Sequence, residues 1–296
     1  MIPIYAAHVI QIDVTNACPH ECANCTRFVG HHKNPFFMDL ETVKKALGSL
    51  QGFPGRIGLM GGEPTMHPKF AEICALYREM IPEKRRRGLW TAGYKWKEYE
   101  DVIKETFDTD LIVYNPHLKE DKGWHQPLLI AADEIIKDKE LMWKLINDCW
   151  VQKRWSPSIT PKGAFFCEVA GAMDMLFGEK GGYPIEKGWW NKTPEQFQDQ
   201  VKRFCVKCSA AIPLKIPSSH LNQDLCSKGN AERLKATGSP KMLKGGIKVY
   251  DKEYTLEQYK KYSKNWAPGH FRDFIQHEPE KKEFKQGGEK PCGCSQ

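Results

Sequence analysis

HVIQIDVTNACPHECANC, residues 8–25, begins as a strand and ends as a ligand-bearing loop. His8 to Val14 alternates as a buried strand would, and Asn16-Ala17-Cys18-Pro19 breaks the run. The loop carries three thiols in the spacing Cys18-x3-Cys22-x2-Cys25. Chemistry placed directly after a strand directs attention to the ends of the strands that follow.

Working outward, Asp39 or a neighbour caps a helix to about Leu50, and Gly52-Phe53-Pro54-Gly55 turns the chain. Arg56 to Met60 then reads as a second strand, ended by Gly61-Gly62-Glu63-Pro64. A helix near Lys69 to Met80, a strand near Gly88 to Ala92, a helix near Lys97 to Phe107 and a strand Leu111 to Tyr114 continue the alternation. Leu128 to Ala131 and the stretch near Trp155 to Thr160 are weaker strand candidates. Such alternation predicts an α/β fold of parallel βαβ units with right-handed crossovers. Six candidate strands are too few for an eightfold barrel and fit a partial barrel or an open doubly wound sheet.

After Thr160 the sequence changes to Gly, Trp, Pro and Cys punctuation, as in Gly181-Gly182-Tyr183-Pro184. The expected division is a core over 1–160, a cysteine-bearing module over 161–230, and an extension ending in a charged tail over 231–296. With 41% hydrophobic and 27% charged residues among 296, disorder and collagen-like fibres are excluded. No run approaches the ~18 apolar residues of a membrane helix, and Met1 to Thr15 lacks signal-peptide features. The expectation is a cytoplasmic protein, in the host cytoplasm if viral.

In that compartment eleven cysteines point to metal binding or chemistry rather than disulfides. Cys74 and Cys149 look isolated within helical patterns, Ala71 to Met80 and Glu140 to Trp150, where a buried inert thiol is expected. Cys18, Cys22 and Cys25 suit three irons of one cubane and leave the fourth iron open. Structural zinc, the alternative, asks for a fourth ligand from His20, His31, His32 or far away. Neither H-E-x-x-H nor a Walker signature occurs.

The Cys18-x3-Cys22-x2-Cys25 loop after the first strand, with Gly61-Gly62-Glu63-Pro64 ending the second, resembles the radical S-adenosylmethionine (radical SAM) enzymes. The resemblance spans roughly residues 5 to 160. It implies a partial (β/α)6 barrel and a [4Fe-4S] cluster on the three cysteines, whose open iron is chelated by S-adenosylmethionine. One electron, from a donor such as flavodoxin or ferredoxin, then yields methionine and a 5′-deoxyadenosyl radical. Gly61, Gly62, Glu63 and Pro64 would line the cofactor, with Glu63 and backbone carbonyls accepting from its ammonium; Thr91 and Gly93 would add contacts at the third strand's end. One departure is Asn24, where the family usually has an aromatic residue, so the cover for adenine is unassigned.

Cys167, Cys205-x2-Cys208 and Cys226 resemble a twitch or SPASM module holding an auxiliary iron-sulfur cluster, with zinc as the alternative. If Cys226 is not a ligand, the fourth iron is open or takes Cys292 or Cys294 from the tail. Residues 201–250 carry ten Lys/Arg against two Asp/Glu, which makes Lys202, Arg203, Lys207 and Lys215 candidates for an anionic substrate's phosphates. The expected reaction is hydrogen abstraction from an anionic small molecule or nucleotide. Three alternatives are isomerisation of an amino-acid-substituted thymidine in phage DNA, ribosomal-peptide maturation, and a non-enzymatic zinc protein that binds nucleic acid.

Overall fold

The computed structural model describes residues 1–114, 125–214 and 223–265. Its main sheet has six strands in the order β4-β3-β2-β1-β5-β6: β1 Val9–Thr15, β2 Arg56–Gly61, β3 Arg87–Thr91, β4 Ile112–Tyr114, β5 Ser158–Thr160 and β6 Gly163–Phe165. The first five run parallel, and β6 returns antiparallel to β5. Every residue of β1 is buried, as a central parallel strand covered on both faces should be.

Helices α1 Leu40–Ser49, α2 Phe70–Met80 and α3 Trp96–Thr106 connect β1 to β4. Because those four strands follow one another in a single direction, right-handed crossovers wind them one way, as in a partial barrel. The open doubly wound alternative is therefore set aside for this part. Asp39 caps α1, accepting from Thr42 N at 2.8 Å, as the sequence indicates. Phe70, Ile73, Tyr77, Ile103 and Phe107 from the helical layer join Ile10, Ile12, Leu59 and Leu89 of the sheet in the core.

Three expectations change. Leu128–Ala131 is not a sheet strand; Leu129 forms only an isolated bridge with Cys226. Its backbone is occupied instead by Ser227 N on Leu129 O, Asn230 Nδ2 on the same oxygen, and Ala131 N on Ser227 Oγ. The sixth strand comes from Gly163–Phe165, so the 160/161 division cuts a two-residue hairpin turn. The 230/231 division falls inside α9 (Lys228–Thr237).

Between β4 and β5 lie α4 Ala132–Ile135, α5 Lys139–Asn147 and α6 Trp150–Arg154. Beyond β6 come α7 Glu168–Phe177 and α8 Gln198–Phe204, then β7 Asp224–Cys226, α9, α10 Pro240–Leu243, β8 Ile247–Val249 and α11 Leu256–Tyr262. β7 and β8 pair in parallel as a small second sheet. Among the described residues no helix is long and apolar enough to cross a membrane.

Candidate functional site

The three-cysteine loop leaves β1 where its pairing with β2 shifts register, between Asp13 and Thr15. That irregularity frees the chain end from the sheet and aims it across the strand tips. Thr15 Oγ1 donates to Phe36 O at 2.6 Å and accepts from Ala17 N at 3.0 Å, while Phe36 N donates to Asn16 Oδ1 at 2.7 Å, so both ends of the loop are tied. Cys18, Cys22 and Cys25 are all half-buried free thiols. Burial pushes the Cys18 thiol up to about 12, and the Cys22 thiol up as well, with Cys25 adding to each. Raised thiols at Cys18 and Cys22 suit a cationic iron centre, which supplies the missing positive charge.

The Gly61-Gly62-Glu63 turn is stapled to that loop. Gly62 N donates to Thr15 O and Glu63 N to Ala17 O, both at 2.7 Å. A Cβ on Gly61 (φ +152°) would meet Thr15 O at 2.0 Å, and one on Gly62 would meet Ala17 O at 2.4 Å, so neither position has room for a side chain. Pro64 starts a short 3-10 turn through Met66.

Glu63, expected to accept from an ammonium, is anchored by hydrogen bonds from its own chain. It is fully buried, and Oε1 accepts from Thr65 N, Thr65 Oγ1 and Thr91 Oγ1 at 3.1, 2.6 and 2.7 Å. Oε2 accepts from Ala92 N at 2.6 Å. Three of these donors share Oε1 and one meets Oε2, so four hydrogen bonds hold the carboxylate and Oε2 keeps one acceptor position. Glu63 is a strut joining the tips of β2 and β3, and Thr91, which also accepts from Gly93 N at 2.8 Å, belongs to the same strut. Backbone carbonyls remain as acceptors for a cofactor's ammonium. Asn24 is buried, with φ 52°, and its Oδ1 accepts from Leu225 N at 2.9 Å.

Beside the loop lies a recess of about 230 Å³ between β1, β5 and α7, lined by Asp13, Asn16, Arg27, His32 and Thr160 among others. Arg27 is buried and pairs with Asp13 at 3.2 Å and Glu168 at 2.8 Å; its Nη2 also donates to Gln11 Oε1 at 2.5 Å. Burial works against the guanidinium's charge, but the two carboxylates outweigh it and raise its pKa. Burial likewise pushes the Asp13 and Glu168 carboxyls up, only partly offset by Arg27. The His32 imidazole is lowered to about 4, first by burial, so it is neutral at pH 7. Asn16 Nδ2 is buried without a partner among the described residues. Sequence reading missed Arg27; its place two residues beyond Cys25 was the available signal.

Of the expected auxiliary ligands, Cys167, Cys205 and Cys208 share a recess with Cys149. Cys149, Cys167, Cys205 and Cys208 line one mostly apolar recess of about 420 Å³. Cys226 lies in β7, where burial and then the charges of Asp224 and Glu134 raise its thiol. Cys149 was expected to be inert within one helix, but α5 ends at Asn147 and Cys149 stands as N-cap of α6. That break releases its side chain into the recess. Cys167 is the N-cap of α7, and Cys205 and Cys208 flank a single 3-10 turn. Burial raises all four thiols, and Ala210 N donates to Cys208 Sγ at 3.3 Å. Among the described residues no three His, Cys, Asp or Glu side chains converge as ligands of one ion would.

The basic candidates do not gather. Arg203 donates to Glu179 O at 2.8 Å, Lys207 pairs with Asp133 at 2.7 Å, and Lys202 is exposed on α8. Lys215, Cys292 and Cys294 lie outside the described residues.

Residues 12–119 match the family model described as the Radical SAM superfamily. Among solved structures, BtrN in complex with AdoMet and 2-DOIA aligns with TM-score 0.43 and 20% identity, over 68% of this chain and 88% of that one. Selenomethionine BtrN in an open conformation aligns with TM-score 0.41 and 18% identity, over 68% and 86%. No curated protein matches significantly.

Proposed function

The chain belongs to the radical SAM superfamily through residues 12–119, and from that premise we propose that it cleaves S-adenosylmethionine and takes hydrogen from a small polar substrate seated in the Asp13, Arg27 and His32 recess. The observation that carries this reading is the placement of Cys18, Cys22 and Cys25 on a loop stapled to the side-chain-free Gly61-Gly62 turn. When bound, a [4Fe-4S] cluster and S-adenosylmethionine supply a carbon-centred radical strong enough to break an unactivated C–H bond.

The chain's own residues do the rest. The three thiols hold the cluster, and the Gly61-Gly62 turn lets the cofactor come close to the backbone at the strand tips. Glu63 and Thr91 keep the tips of β2 and β3 in fixed relation. In the substrate recess the Arg27 guanidinium is already neutralised by Asp13, which lines the recess, and by buried Glu168 beside it, a balance that favours a neutral or amine-bearing molecule over a phosphate. Asn16 Nδ2 offers an unused donor to a hydroxyl or carbonyl of the substrate. The dispersed Lys202, Arg203 and Lys207 give the anionic alternative less support.

The auxiliary cluster in this reading sits on Cys149, Cys167, Cys205 and Cys208. Four thiols around one apolar recess, two buried and two half-buried, form a soft donor set, and a cubane takes one thiolate per iron. Zinc would need them convergent on a single point. A one-electron donor of the flavodoxin or ferredoxin type completes the system.

The test is isotopic. Anaerobically reconstituted, reduced protein is incubated with S-adenosylmethionine and separate deuterium-labelled pools of aminated and hydroxylated small molecules, nucleotides and peptides. Deuterium in 5′-deoxyadenosine from the first pool supports the reading. Transfer from nucleotides or peptides alone would overturn the substrate class, and formation of no 5′-deoxyadenosine would overturn the activity.

A further inference from the structure

The loop that carries Cys22 and Cys25 is gripped by a segment from the far end of the chain. Asp224, on β7 and 2% exposed, accepts on Oδ1 from Asn24 N at 2.5 Å and from Lys241 Nζ at 2.7 Å. Its Oδ2 lies 2.6 Å from His31 Nε2, and His31 Nδ1 lies 2.7 Å from Ser239 Oγ. Ser239 in turn caps α10 by accepting from Met242 N at 3.2 Å. Lys241, 7% exposed, spends a second hydrogen bond on the backbone carbonyl of Cys22 at 2.9 Å. Its stem packs on Gly30, where an added Cβ would lie 3.0 Å from Lys241 Cδ.

We propose that Lys241, anchored by Asp224, is a positioning residue for the iron-sulfur cluster of Cys18, Cys22 and Cys25, fixing the Cys22 segment and setting a positive charge that makes the cluster easier to reduce. The proposal rests on the cluster reading given above. Lys241 and Asp224 lie outside the matched segment 12–119, so this chain's C-terminal part contributes to a site that the N-terminal part carries. Reduction adds negative charge to a thiolate-bound cluster, and a buried ammonium nearby favours that state because water screens it little. Asp224 offsets part of this charge. Its carboxylate is also occupied by His31 and Asn24 N–H, and it is the ammonium that touches Cys22. An exposed lysine would be free to turn away and would be screened by salt.

The experiment is a redox titration, by electron paramagnetic resonance, of the anaerobically reconstituted full chain. The signal followed is the one that changes when S-adenosylmethionine is added, which separates the open-iron cluster from any auxiliary one. Lys241→Met should disfavour reduction about tenfold, a shift of about 59 mV to more negative potential for one electron. Lys241→Arg, which keeps the charge, should recover most of it. Loss of iron in Lys241→Met that Lys241→Arg restores also supports the proposal. An unchanged potential in Lys241→Met at full iron content overturns it and leaves the cluster reading standing, and loss of iron in both variants likewise overturns it. Absence of any S-adenosylmethionine-responsive signal from the wild type overturns the cluster reading and the proposal together.

Discussion

Replacing Arg27 by Met should destabilise the protein in a way that acid partly repairs. The guanidinium is the partner of both Asp13 and Glu168, whose side chains are 5% and 2% exposed. Without it two carboxylates are left facing each other out of water, and the least costly relief is to protonate one and share its proton. From an ordinary value of 4.5 for Glu168, protonation at pH 7.5 costs about 4 kcal/mol, at about 1.4 kcal/mol per pH unit. That agrees with the roughly 3–5 kcal/mol expected when one partner of a buried ion pair is removed. At pH 6.0 the same protonation costs only about 2 kcal/mol. The sign follows from proton counting: the folded variant holds a proton that its unfolded chain lacks, so its stability rises as pH falls. Urea unfolding of wild type and variant at both pH values, kept anaerobic, measures the difference. A deficit below about 1 kcal/mol, or one equal at both pH values, would refute the ion-pair account.

Gly62→Ala should push the turn off Ala17 O, because the new Cβ would arrive at 2.4 Å. The reconstituted protein should fall from about eight irons to about four, as the auxiliary thiols are untouched; full iron content would contradict the stapled geometry. The His32 imidazole, lowered to about 4 by burial, takes a proton in the unfolded chain before the folded one. Stability should therefore drop as pH falls from 6.5 towards 4, by no more than about 1.4 kcal/mol per pH unit. His32→Asn should flatten that slope in acid-unfolding curves.

The strand-helix alternation as far as Tyr114 was legible because each element has its own local cause: a buried strand pattern, the Asp39 cap and glycine-bearing turns. The loop of Cys18, Cys22 and Cys25 was equally plain from its spacing. Leu128–Ala131 was not, because its backbone partners are Ser227 and Asn230, about a hundred residues on, and no local pattern encodes such pairing. Cys149 was rightly expected to be buried but was placed inside one helix, because the periodicity carries on past the break at Asp148. Glu63 was picked out because its motif position is visible in sequence. Its four donors become visible only once β2 and β3 lie side by side.

The central claim is that one thiolate loop performs the cofactor cleavage while a second cysteine group, including Cys149 and excluding Cys226, serves an auxiliary cluster. It is tested most directly by quantifying 5′-deoxyadenosine from reduced, reconstituted wild type and the Cys22→Ala, Cys149→Ala and Cys226→Ala variants, with iron counted in the same samples. The account predicts no product from Cys22→Ala, reduced product with about half the iron from Cys149→Ala, and near-normal iron and product from Cys226→Ala. Undiminished product from Cys22→Ala, or iron lost from Cys226→Ala but not from Cys149→Ala, would contradict it.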